Sequence, residues 1–232
     1  MLKHLLRGGG SGLDGDSWVT TLGGSGDDYG LSVAVAPDGS VYVCGHTSSV
    51  GAGSADLILV KFRSSGIVQW QKTLGGSRDD EGYSVAVAPD GSVYVCGRTT
   101  SAGAGGWDLL LAKFSSTGTV QWQKTLCSSY NDYGQSVAVA SDGSVYVCER
   151  TESAGAGGWD LLLAKITDSL IEKGVGTFGI FTFRDVSLTA KNVSLTITSP
   201  GFSVSDAGLT VSTPSLTVGT PSLTTNLYTL KE

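Results

Sequence analysis

The chain has 232 residues, a net charge of −6 at neutral pH, 40% apolar residues and 34 glycines. That apolar content supplies a core and lies outside disordered composition. The glycines follow no collagen period, so they point to tight turns between many short strands. The acidic balance argues against nucleic acid, which needs a clustered basic face, and with no run near 18 apolar residues no membrane span is expected.

Residues 1–16 have Leu5 and Leu6 as the only apolar residues between Lys3 and Arg7 and are read as a flexible segment without an export signal. A 52-residue repeat follows, over residues 17–168. Its anchors recur without drift as Trp18, Trp70 and Trp122, then Cys44, Cys96 and Cys148, then Asp56, Asp108 and Asp160. A fixed period of this length marks propellers, solenoids or arrays. The first stretch, SWVTTL (17–22), matches the fourth strand of a unit that lacks its first three. Each later unit is expected to contain four strands, as in YSVAVA, SVYVCGRT, WDLLLAKF and TVQWQKTL of residues 83–126. Val, Tyr, Trp and Thr favour the pleated sheet, while Gly, Asp and Pro mark the turns. Four antiparallel strands per unit make a propeller blade.

The repeated phrase WQKTLGGSRDDEGYSVAVAPDGSVYVCGRT (70–99) resembles the repeat of a bacterial β-propeller family. The resemblance covers residues 18–166. It implies a propeller fold and no particular activity, because propellers serve widely as binding platforms.

Three blades are too few to close a ring. The array also ends on WDLLLAKI (159–166), a third strand without a fourth, and an open edge invites strand addition. Head-to-tail closure is therefore expected, with Trp18 and Leu22 of one chain meeting Leu161 and Leu163 of another. Two chains would give six blades; a stacked open array is the alternative.

A connector is expected over residues 169–185, then a Ser/Thr-rich tail over 186–232. Leu188, Leu195, Phe202, Leu209, Leu216 and Leu223 fall seven apart. A coiled coil is excluded by Pro200, Pro214 and Pro221 and by the poor helix formers around them. Apolar residues two apart, as at Leu195 and Ile197, have strand spacing. Each heptad reads as a short strand and a turn, without a core of its own. The tail must wind with copies of itself or lie along a partner surface. It resembles the β-structured shafts of phage and adhesin fibres, which implies a trimer held through these leucines.

Chemistry is sparse. The recurrent loop acids Asp27, Asp28, Asp79, Asp80 and Asp132 are placed to bind Ca²⁺ or to accept hydrogen bonds from turn amides. Trp107 and Trp159 beside Gly-rich loops are placed to stack on a sugar or receptor, or to pack in the core. The cysteines at SVYVC read as small buried hydrophobes. Only His4 and His46 are present, so a His-dependent triad or metal site lacks parts. No cofactor is expected. The expected function is non-enzymatic: a virion structural and binding protein, such as a bacteriophage fibre, tail or capsid-decorating protein on the particle surface. It would contact other virion proteins and host-surface glycans. The alternative is a surface or extracellular bacterial adhesin or lectin-like module.

Overall fold

The computed structural model describes residues 18–155, 157–167, 176–178, 181–193 and 195–198. The leading segment 1–16 and the heptads from Phe202 through Leu209, Leu216 and Leu223 lie outside the described residues. Among the described residues everything regular is β-structure. The strands are β1 Thr21–Gly23, β2 Asp28–Val35, β3 Val41–Thr47, β4 Asp56–Phe62, β5 Val68–Gly75, β6 Asp80–Val87, β7 Val93–Thr99 and β8 Asp108–Phe114. They continue as β9 Val120–Cys127, β10 Asp132–Val139, β11 Val145–Thr151, β12 Asp160–Ile166, β13 Gly176–Phe178, β14 Phe181–Asp185, β15 Thr189–Asn192 and β16 Thr196–Thr198.

The strands form propeller-type blades, as the repeat implies. The first blade is the antiparallel meander β2-β3-β4-β5, the second β6-β7-β8-β9, and the third β10-β11-β12. The turns follow from their residues. Gly39, Gly91 and Gly143 take positive φ in the first hairpin of each blade, a conformation that glycine adopts without penalty. Asp38, Asp90 and Asp142 fix these turns by accepting the N–H of Ser40, Ser92 and Ser144 at 2.8, 2.8 and 2.9 Å.

The third strands, β4 and β8, are buried along their length, save that Lys113 is half-buried, because each is covered on both faces. Leu57 and Leu59 share a cluster with Val85, Val93 and Leu110 of the next blade. Ile58, Val60 and Phe62 point the other way, toward Leu22. Adjacent blades are also pinned by polar contacts: the Val85 N–H donates to Ser32 Oγ at 3.2 Å and the Val137 N–H to Ser84 Oγ at 3.1 Å. The indole N–H of Trp70 donates to the Ser116 carbonyl at 3.2 Å, and that of Trp18 to the Ser64 carbonyl at 2.9 Å. Trp18 and Trp70 therefore latch each fourth strand onto a turn of the following blade.

The tail departs from the sequence expectation. Its described strands run along the rim of their own array. β14 pairs with β9, β15 with β5, and β16 with β1, all antiparallel. Thr182 lies opposite Cys127, Thr189 opposite Gly75, and Thr196 opposite Gly23. Seven residues forward in the tail thus match 52 residues backward in the array: each heptad adds one strand beside a fourth strand, and β13 pairs with β14 to extend the second blade to six strands. Leu188 and Leu195, expected at an oligomer interface, are instead buried in the chain's own blade clusters. The physical reason is that a lone four-residue strand gains its hydrogen bonds and roughly 1.5–3 kcal/mol per buried Leu by joining an existing sheet edge. Phe181–Asp185, read as connector, is already part of this strap.

Candidate functional site: the loop face of the array

Alternating strand direction brings the long loops of every blade to one end. The loop from β7 to β8, residues 100–107, lies there beside the loops that precede β6 and β10. This face gathers the loop acids and, of the tryptophans, Trp107 and Trp159.

The acids divide by exposure. Asp80 is fully buried and accepts from Thr99 Oγ1, from Ser101 Oγ at 2.7 Å and from the Gly76 N–H at 2.7 Å. Asp132 repeats the set with Thr151 Oγ1, Ser153 Oγ and the Ser128 N–H, and Asp28 with Thr47, Ser49 and the Gly24 N–H. Asp28, Asp80 and Asp132 therefore hold their own loops shut, and their oxygens are engaged within the blade. Burial raises the Asp80 and Asp132 carboxyls despite these bonds. Asp28 is less buried, so the same three bonds outweigh its desolvation and it falls below the usual range. Asp27 is exposed and Asp79 half-buried. Among the described residues, no group of His, Cys, Asp and Glu is placed to hold a metal ion.

A second row of carboxyls sits beneath. Asp56 accepts the Ala52 and Gly53 N–H groups at 2.9 and 3.0 Å, and Asp108 the Ala104 N–H at 3.0 Å. Each keeps one buried oxygen unpartnered. Burial pushes the Asp108 carboxyl up to about 7. The strap answers with cations: Lys191 acts on Asp56 and Arg184 on Asp108, again one heptad per blade. Glu149, standing where the other blades carry Gly45 and Gly97, is closed off from solvent with both oxygens unpartnered. Burial first, then the charges of Asp132 and Asp108, push it up to about 9.

The tryptophans build the most distinctive feature. The Arg98 guanidinium stacks over Trp107 at 4.0 Å and Tyr133 at 4.8 Å, and Glu81 pairs with it at 2.8 Å. Arg150 stacks over Tyr133 and Trp159, at 4.6 Å each. Tyr133 lies 6.2 Å from Trp107 and 5.0 Å from Trp159. The result is a ladder of alternating cations and rings across the second and third blades. Trp107 is half-buried, while Trp159 and Arg150 are exposed. Sequence reasoning noted the Trp107 and Trp159 positions but missed the arginines. Their only signal was that Arg98 and Arg150 recur 52 apart, with His46 in the same place.

Fold and loop face together define a β-propeller repeat scaffold. Residues 36–66 and 88–120 match a family described as a β-propeller domain of unknown function, DUF5122, in agreement with the blades these residues form. The chain is also similar to the regulatory protein FlaEY of Caulobacter vibrioides, at 31% identity over 125 residues, which is 45% of this chain. The match spans only 13% of that protein's length.

Proposed function

We propose that the protein is a non-enzymatic binding scaffold whose loop face engages an acidic glycan. The observation that carries this reading is the Arg–aromatic ladder. It offers the exposed Trp159 ring for sugar stacking and, in Arg150, an exposed guanidinium for a carboxylate or sulfate. The raised carboxyls that would suit acid–base chemistry, Asp108 and Glu149, are shut away from any substrate, which favours binding over catalysis.

The setting proposed is a virion surface, as a bacteriophage fibre, tail or capsid-decorating protein contacting host glycans. The repeat blades and the Ser/Thr heptads support it as durable, charge-poor surface material. A bacterial surface adhesin or lectin-like module is the second reading, favoured by the similarity to a bacterial protein.

Calorimetric titration with sulfated or uronic-acid oligosaccharides tests the binding claim. Arg150→Ala and Trp159→Ala are expected to weaken binding at least about tenfold, the loss of one stacked or charge-assisted contact. Unchanged affinity in both variants, or no binding of any acidic oligosaccharide, contradicts it. Immunogold labelling separates the settings, by decorating either virus particles or cells.

A further inference from the structure

We infer that the two ends of the array dock head to tail, so that the last blade of one copy is completed by the entry strand and first blade of a second copy. The in-chain blade contacts, shifted by one repeat, specify this junction. Leu57 and Leu59 cluster with Val85, Val93, Val95 and Leu110 of the following blade. One repeat upstream of those four stand Val33, Val41, Val43 and Ile58, which line an open groove of about 330 Å³ beside Leu22. Two repeats downstream of Leu57 and Leu59 stand Leu161 and Leu163.

Exposure marks both sides as uncovered. Leu161 and Leu163 are 82% and 66% exposed, whereas their counterparts Leu109 and Leu111 are at 1% and 0%. Val33 is 64% exposed, whereas Val85 and Val137 are at 6%. The strand edges match as well. β4 meets β5 with Leu57 opposite Leu74, and β8 meets β9 with Leu109 opposite Leu126. The same register places Leu161 opposite Leu22 of the second copy. β1 is already paired on its other edge with β16, so the composite blade has the five-strand order of the first blade.

The ladder continues across the same junction. Tyr29 is 50% exposed and lies 4.7 Å from His46, repeating the Tyr133–Arg150 pair. Docking sets this tyrosine against Trp159, 43% exposed, as Tyr133 sits against Trp107. Continuity with the in-chain interface is what selects a copy of this chain as the occupant. The junction stands on packing and register; Trp159 is the one residue it shares with the proposed loop-face contact.

Solution mass by light scattering, on the full chain, tests it. The wild type is expected at twice 23.8 kDa or more, two copies giving a six-bladed ring. Leu163→Glu blocks only the exit face and Val33→Glu only the entry face, and both positions are solvent-exposed in the single chain. Each variant alone is expected to fall to single-chain mass while keeping its β circular dichroism. Mixed one to one, they are expected to recover a dimer, because one intact junction remains. A wild type of single-chain mass at all concentrations overturns the inference, and so does a variant that stays assembled alone or a mixture that shows no recovery.

Discussion

Gln123 grips the backbone of Leu188 from both sides: its Nε2 donates to the Leu188 carbonyl at 3.1 Å, and its Oε1 accepts the Leu188 N–H at 2.9 Å. Gln71 holds Leu195 in the same way at the amide, accepting its N–H at 2.9 Å. These clasps sit where the strap leaves one blade for the next, at points where the backbone has no ladder partner. An unpartnered backbone group there would carry its full desolvation cost.

Gln123→Ala and Gln71→Ala are therefore expected to destabilise the chain by about 1–3 kcal/mol each. The two clasps lie in different blades and share no hydrogen-bond partner, so the double variant should lose about the sum. Urea unfolding midpoints check this. Variants as stable as the wild type would show that the strap is held by burial of Leu188 and Leu195 alone.

Asp80 ties three donors into one loop, and Asp28 ties the equivalent three where it is less buried. Asp80→Ala should cost about 2–4 kcal/mol, since Thr99, Ser101 and the Gly76 amide all lose a charged or buried acceptor. Asp28→Ala should cost less, because water reaches its donors. Thermal melting of the two variants gives the comparison, and equal losses would contradict the burial argument. The same engagement of oxygens predicts an unchanged melting temperature when calcium is added or chelated.

Gly91 and Gly118 share φ near +81° but differ in surroundings. A Cβ at Gly91 meets nothing within 4 Å, whereas one at Gly118 comes 2.8 Å from Lys72 Cε and 3.1 Å from the Trp70 ring. Gly91→Ala should cost about 1–2 kcal/mol of backbone strain. Gly118→Ala should cost more, because it also pushes the Trp70 latch off its turn. The order of the two unfolding midpoints checks this.

Glu149 gives stability a pH dependence. Its carboxyl ionises at 4.5 ordinarily and at about 9 in the fold. Between these values the folded state keeps a proton that the unfolded state has released. Its contribution is complete below pH 4.5 and is lost as pH rises through the window, by about 1.4 kcal/mol per pH unit. The other raised carboxyls act in the same direction, so the wild type is compared with Glu149→Gln. The variant should lose less stability than the wild type between about pH 5 and about pH 8, the difference being the Glu149 share. Parallel curves for the two proteins would contradict the assignment.

Much of the blade was legible in the sequence. The Val–Ala alternation before each Pro-Asp-Gly or Ser-Asp-Gly turn located β2, β6 and β10, and the continuous WDLLLAK run announced a strand covered on both faces. The partners of the tail were not legible. Its period of seven and the array's period of 52 are each visible alone, but their coupling is a contact between distant segments. The clue lay in matched polar pairs, Lys124 with Asp185 and Lys72 with Asn192, offset by the same two periods. The ladder was hidden for a similar reason: Arg98, Trp107 and Tyr133 come from a strand, a loop and the next blade, and only blade stacking makes them neighbours.

The central claim is that β14, β15 and β16 of the tail pair with the fourth strands β9, β5 and β1 of the array. Hydrogen–deuterium exchange of the full chain tests it most directly, read at the amides of Phe183, Leu188 and Leu195 against those of β5 and β9. The account predicts that these tail amides exchange as slowly as the fourth strands they cover, and that Gln123→Ala speeds exchange at Leu188 before Phe183. Exchange at unstructured rates across 181–198, with β5 and β9 still protected, would contradict it.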